Sequence, residues 1–429
     1  MRTEEKLKDI LVYWKEFEIP DYVDRDFDEA YLETDKVLTV TGPRRAGKTF
    51  LCFQIIDNLD SPEDNIVYIN FEDERLHPLN GDELTKLLEI YREIFEPEEG
   101  RIYLFLDEIH VVPDWEKWVR RISERERDIK LVITGSSAGL LPEELSTQLR
   151  GRSLNQTVYP FSFSEFLKSR GIEYQTETVK HSEKKPEVKK AFNEFIEYGG
   201  FPEVVLEENE RLKPEILREY YSTIFQRDIV ERHSVNNIQA MKDFFKIRID
   251  SFGSKMTYNK SKNNLRSLGH SVGKATLKRY LSHAENSFLL FELQQYTPKT
   301  KNRMRYPRKI YPVDTGLVNA VRFDFSKDWG RALETAVFLE LKRRGQEIFY
   351  HSGDGECDFV IKHGTELVEA IQVTEALDSN EEREIKGLLD VMERFELDEG
   401  LILTEDSTDE FEREGKKVKV EPVWNWLIS

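Results

Sequence analysis

The sequence predicts an α/β protein: a parallel sheet, then a helical and basic module, then a second, smaller α/β module. Three observations predict this. Short, nearly all-apolar runs alternate with longer amphipathic runs through the first third of the chain. Lysine and arginine cluster between residues 240 and 312 of an otherwise acidic chain. The last hundred residues return to a mixed pattern of helices and short apolar strands.

Each element can be read in order. Val37 to Thr41, Ile66 to Asn70, Ile102 to Leu106 and Leu131 to Thr134 read as strands. Thr49 to Leu59, Glu83 to Phe95 and Trp115 to Glu126 read as the helices between them. Strands that are apolar on both faces and separated by helices imply a parallel sheet covered on both sides. Thr176 to Lys190 is polar and reads as a linker, and Ala191 to Ile249 is helical with a break at Gly199 to Pro202. Ala275 to Glu285 reads as the second helix of a helix-turn-helix. Phe288 to Tyr296 and Lys309 to Val313 read as a hairpin, Arg331 to Arg344 as a helix, and Cys357 to Lys362 and Glu369 to Thr374 as strands. The expected domains are 1–175, 190–320 and 326–429.

Composition bounds the function. A length of 429 residues suggests two or three domains, and 39% apolar residues supply a core. Two cysteines 305 positions apart make neither a disulfide framework nor a zinc pattern. Met1 to Trp14 is charged and lacks the apolar stretch of a secretory signal. The apolar runs are far shorter than the roughly 20 residues a bilayer span needs. The expectation is a cytoplasmic protein without a membrane partner.

Residues 42 to 49, Gly-Pro-Arg-Arg-Ala-Gly-Lys-Thr, fit the phosphate-binding pattern G-x-x-x-x-G-K-[ST] without a mismatch. The match lies between a predicted strand and a predicted helix, as its mechanism requires. Glycine lets backbone N–H groups close around phosphate oxygens, and the helix N-terminus favours the anion. Gly42, Pro43, Arg44, Arg45, Ala46, Gly47, Lys48, Thr49 and Phe50 form the expected ATP-binding segment. Lys48 would reach the β- and γ-phosphates, and the Thr49 hydroxyl would hold Mg²⁺. Asp107 ends the strand Ile102 to Leu106, where ligands bind in open α/β sheets, and would join Thr49 at the metal. Glu108 would polarise the attacking water. Ser136 at the next strand tip would contact that water or the γ-phosphate, and Arg150 or Arg152 would neutralise charge on the γ-phosphate, in trans if the protein forms a ring.

Residues 240 to 312 hold sixteen Lys or Arg and four Asp or Glu, a local +12 inside a chain of −19. A basic cluster of this kind is the electrostatic footprint of nucleic-acid binding. Lys274, Lys278 and Arg279 lie on the second helix of the predicted helix-turn-helix. Lys301, Arg303 and Arg305 lie in the predicted hairpin loop Pro298 to Arg308, which also carries Lys299 and Arg308. A recognition helix for the major groove and a basic wing for phosphates fit this pattern, so DNA is the expected partner.

Several segments together resemble one family. They are GPRRAGKT, LDEIH at 106–110, ITGSS at 133–137, LRGR at 149–152, PFSFSEFL at 160–167, YGGFPEVV at 198–205, ATLKRYLSHAENSFLLFEL at 275–293 and KIYPVDTGL at 309–317. In this order they look like the archaeal and bacterial AAA-type ATPases that carry a C-terminal domain of unknown function. The resemblance implies a P-loop NTPase domain that binds and hydrolyses ATP, and a winged-helix-like domain, but names no substrate; a homo-oligomer is expected if Arg150 or Arg152 acts in trans.

Glu334, Asp358 and the strand Glu369-Ala-Ile-Gln372-Val-Thr374 resemble the restriction-endonuclease-like core, in which a helix Glu, a strand Asp and a following E-x-K strand collect a metal ion. Here Gln372 stands for the second acid and Thr374 for the lysine, so the expected nuclease site is degenerate. The leading reading is an ATP-driven motor or switch that acts on DNA, with a branched or processed form among the candidates. Two others stand beside it: an ATP-switched scaffold that binds protein through the winged helix, and an ATP-gated, metal-dependent nuclease.

Overall fold

In the computed structural model, strands Val37–Thr41 (β1), Ile66–Asn70 (β2), Ile102–Asp107 (β3), Ile129–Thr134 (β4) and Ser153–Thr157 (β5) form one sheet. The structure describes residues 3–79, 81, 83–135, 147–176, 178–297, 306–322, 328–377 and 381–429. The strand order is β2-β3-β4-β1-β5, and every pairing is parallel. Alternate residues of a strand face opposite ways. Leu104 and Leu106 therefore enter one core with Ile133, Val119 and Leu7, while Phe105 enters the other with Leu38, Val40 and Val132. Both faces are covered, which explains why these strands read as unbroken apolar runs.

The fifth strand is absent from the sequence reading. Ser153–Thr157 is polar and half-buried along its whole length, so no apolar period marks it. It is held instead by β1, where the buried Thr39 and Thr41 hydroxyls donate to Asn155 Oδ1 at 3.1 and 2.9 Å.

The chain divides into two units, residues 1–159 and residues 160–429. The first holds the parallel sheet and the helices Thr3–Lys15, Lys48–Asp57, Leu84–Phe95 and Trp115–Arg125. The second begins with the helix Phe163–Ser169, closed by a capping box between Ser162 and Glu165. The segment read as a linker is structured in its second half. Pro186 sits in the first turn of the helix Lys185–Tyr198, where its missing N–H costs nothing. Before it, Val179 is buried and Lys180 pairs with Glu421 at 3.1 Å.

Helices Ile238–Asp250, Tyr258–Ser267 and Lys274–Asn286 precede the hairpin of Leu290–Gln294 (β6) and Arg308–Pro312 (β7). His270, in the turn between the last two helices, lies 2.7 Å from Asp243 Oδ2 on the first. The helix Trp329–Arg343 leads into a six-stranded sheet of Glu347–Ser352 (β8), Glu356–His363 (β9), Glu366–Val373 (β10), Glu399–Thr404 (β11), Asp409–Arg413 (β12) and Lys416–Pro422 (β13). Its order is β12-β13-β11-β10-β9-β8, mixed parallel and antiparallel. Among the described residues, no helix is long and apolar enough to cross a membrane.

Candidate functional site

The phosphate loop leaves the C-terminal end of β1 and enters the helix Lys48–Asp57. Gly42 has φ +147°, and a Cβ there would stand 2.1 Å from the Val158 carbonyl oxygen, so no side chain fits. Arg45 and Gly47 have φ +67° and +93°, which curls the loop just ahead of the helix N-terminus. A turn of this kind aims successive N–H groups at one point, the geometry of an anion cradle. The Lys48 ammonium is buried and donates to the Pro43 carbonyl at 3.1 Å. Arg44 lies 3.8 Å from Glu72, and Phe50 is 44% exposed beside Phe53.

Asp107 joins this loop to the sheet. Its side chain is 1% exposed, and three hydroxyls donate to it. Thr49 Oγ1 reaches Oδ2 at 2.7 Å and Tyr68 OH reaches Oδ2 at 2.6 Å, while Thr134 Oγ1 bonds Oδ1. Thr134 also accepts from the Glu108 backbone N–H at 3.1 Å. Glu108 has φ +53°, the left-handed region that few non-glycine residues adopt, at the turn that carries the chain off β3. Its carboxylate lies 3.1 Å from His110 Nδ1. Burial, and next the Asp107 charge, push the Tyr68 phenol far above its ordinary pKa, so it remains a donor. The same two causes raise the Cys52 thiol beneath the loop.

The structure thus brings together Gly42 to Thr49, Asp107 and Glu108. Ser136 lies outside the described residues. Thr134, two positions earlier at the end of β4, is one of the three hydroxyl residues that touch Asp107. Arg150 is exposed in a left-handed turn with φ +51°, and Arg152 pairs with Glu124 at 3.1 Å. Sequence reasoning missed Arg25, whose guanidinium donates to the Ala46 carbonyl at 2.9 Å and the Tyr159 carbonyl at 2.6 Å. Arg25 therefore braces the loop from behind, from a segment that carries no recognisable motif.

The basic module is less basic at its surface than the count of sixteen implies. Arg308 belongs to β7 rather than to the preceding loop, and it is 7% exposed and bonded to Glu292. Lys309 and Arg248 are each 3% exposed. Lys274, Lys278 and Arg279 are exposed on their helix, with Lys260, Lys262 and Arg266 exposed on the one before. Lys301, Arg303 and Arg305 lie outside the described residues.

Glu334 on the helix Trp329–Arg343, Asp358 on β9 and Gln372 on β10 are all buried. Sequence reading found no lysine there, but one is present. Lys309 Nζ lies 2.8 Å from Glu334 Oε1, 2.8 Å from Asp358 Oδ1 and 3.2 Å from Glu356 Oε1. Tyr311 OH donates to Glu334 Oε1 at 2.6 Å. The period-two alternation of β7 puts Lys309 and Tyr311 on one face and was the available signal. The Gln372 amide accepts from the Asp358 N–H at 3.2 Å and donates to Glu384. Burial, and then the Asp358 charge, raise the Glu334 carboxyl to about 7.

Comparison with known proteins places these sites in context. The model of an AAA domain matches residues 34–167, and that of a domain of unknown function (DUF8612) matches residues 189–328. An uncharacterized protein of Methanocaldococcus jannaschii is 38% identical over 421 residues, spanning 95% of this chain and 91% of the relative. An uncharacterized protein of Haemophilus influenzae is 29% identical over 403 residues, spanning 93% and 96%. Among solved structures, a Walker-type ATPase of Pyrococcus abyssi aligns with 68% of this chain and 93% of its own, at 13% identity and a TM-score of 0.47.

Proposed function

Because the chain belongs to the archaeal and bacterial AAA-type P-loop ATPases, we propose that it hydrolyses ATP in a Mg²⁺-dependent reaction and couples that reaction to DNA. The observation that carries the catalytic half is the 2.7 Å bond between Thr49 and Asp107. It joins the phosphate loop to the strand end that bears Glu108. Hydroxyl and carboxylate oxygens are the donors a hard cation requires, so Thr49 and Asp107 fit Mg²⁺, directly or through bound water. The ion would neutralise charge on the β- and γ-phosphates.

The loop N–H groups of Gly42 to Phe50 hold the phosphates, and Lys48 turns from its loop carbonyls to the β- and γ-oxygens. Glu108 accepts a proton from the water whose oxygen attacks the γ-phosphorus. The bond from that phosphorus to the β–γ bridging oxygen breaks, leaving ADP and inorganic phosphate. Thr134 fixes the Glu108 backbone and the Asp107 side chain together, and His110 stands beside the Glu108 carboxylate. Arg150 or Arg152 of a neighbouring copy supplies positive charge at the γ-phosphate. Lys48→Ala should abolish tight ATP binding. Glu108→Gln should retain ATP while turnover falls by about 10²–10⁴-fold, the usual contribution of a general base. Normal turnover by Glu108→Gln would remove the glutamate from its assigned role.

The DNA half rests on the exposed cations of the helices Tyr258–Ser267 and Lys274–Asn286, a helix-turn-helix followed by the β6–β7 hairpin. Lys274, Lys278 and Arg279 would meet the duplex from the second helix. Neutralising several phosphates gives affinity that falls steeply with log salt. Affinity indifferent to salt would favour a protein-binding scaffold instead.

A further inference from the structure

The acidic centre of the C-terminal sheet has a cation of its own. A lysine ammonium carries three donors and no acceptor. Lys309 places Glu334, Asp358 and Glu356 around it at 2.8, 2.8 and 3.2 Å, one carboxylate for each donor. The remaining contacts orient these acids toward that point. Val373 N–H holds Asp358 Oδ2 at 3.0 Å, Tyr311 OH holds Glu334 at 2.6 Å, and Lys255 holds Glu356 Oε2 at 2.8 Å. Three buried or half-buried carboxylates repel one another unless a cation stands among them. Three hard oxygen ligands, two from β9 and one from the helix Trp329–Arg343, are also of the kind a divalent ion takes. Gln372 does not compete for that place, because its amide is spent on the Asp358 N–H and on Glu384.

We propose that Lys309 is the resident cation of this centre, standing where a divalent metal ion would otherwise bridge Glu334, Glu356 and Asp358, and keeping metal out. The centre is then a clamp. Lys309 and Tyr311 both lie on β7, so the ammonium fastens the hairpin strand to the helix Trp329–Arg343 and to β9. Burial lowers the ammonium pKa, but the surrounding carboxylates outweigh it, and Lys309 is held well above its ordinary value. The inference is independent of the ATPase reading, because it involves none of the same residues.

Mn²⁺ is the probe. Titrated into full-length Lys309→Ala without nucleotide, it is expected to raise the thermal midpoint and to bind at a site that a second substitution, Asp358→Asn, removes. Lys309→Met, which keeps the apolar stem, is the alternative if the alanine variant does not fold. In crystals of the unsubstituted chain soaked in Mn²⁺, no anomalous peak is expected among the three carboxylates. A peak there overturns the proposal, as does a Lys309 variant that gains no Asp358-dependent Mn²⁺ binding.

Discussion

Asp107 shows how much of the candidate site depends on residues that carry no motif. Its carboxylate is nearly sealed from solvent yet accepts from Thr49, Tyr68 and Thr134. Thr49 and Asp107 were legible because phosphate binding demands a hydroxyl after the lysine and an acid at a strand end. Thr134 and Tyr68 were not. They lie 27 and 39 positions from Asp107, and only the packing of β2, β3 and β4 brings them together. Thr134→Val keeps the shape but removes the hydroxyl, leaving a buried carboxylate oxygen and the Glu108 N–H without it. The expected cost is about 1–3 kcal/mol in urea unfolding, together with reduced ATP turnover. Thr134→Ser should restore most of both.

At the scale of the element, the GGFP and VDTG segments explain each other. Asp314 caps the helix Thr315–Val321 by accepting from Leu317 N–H at 2.9 Å, and it also accepts from Gly200 N–H at 2.7 Å. A Cβ on Gly199 would stand 2.0 Å from Asp314 Oδ1, and φ there is +77°, so glycine is required. Sequence alone read the first segment only as a helix break, because its partner lies more than a hundred residues away.

Burial raises the Asp314 carboxyl from 3.8 to about 6, against the lowering effect of its N–H donors. A carboxyl raised on folding binds more protons in the folded state than in the unfolded one. Its contribution to stability is therefore complete below the ordinary pKa and is lost as pH rises through about 6. Asp314→Asn should flatten the stability profile between pH 4 and 6 in denaturant titrations. A profile unchanged in that window would place the pH dependence elsewhere. The strands of the parallel sheet were legible because they are apolar on both faces. Polar β5 was not, since hydrogen bonds from Thr39 and Thr41 rather than apolar burial hold it.

For the whole molecule, charge is unevenly distributed along an acidic chain. The local +12 between residues 240 and 312 stands against −19 overall, which leaves −31 for the rest. Burial of Arg248, Arg308 and Lys309 takes three cations out of that surface. The sequence showed the cluster but could not show which cations it keeps for itself, because side-chain pairing across a fold has no linear signature. The cations that remain exposed on two consecutive helices are those a duplex would meet. ATP turnover by the full-length protein should be measured without nucleic acid and then with single-stranded, duplex and four-way branched DNA, at low and high salt. The account predicts Mg²⁺-dependent turnover, stimulated by one DNA form and losing that stimulation in salt. Turnover indifferent to every DNA form, or no turnover at all, would contradict it.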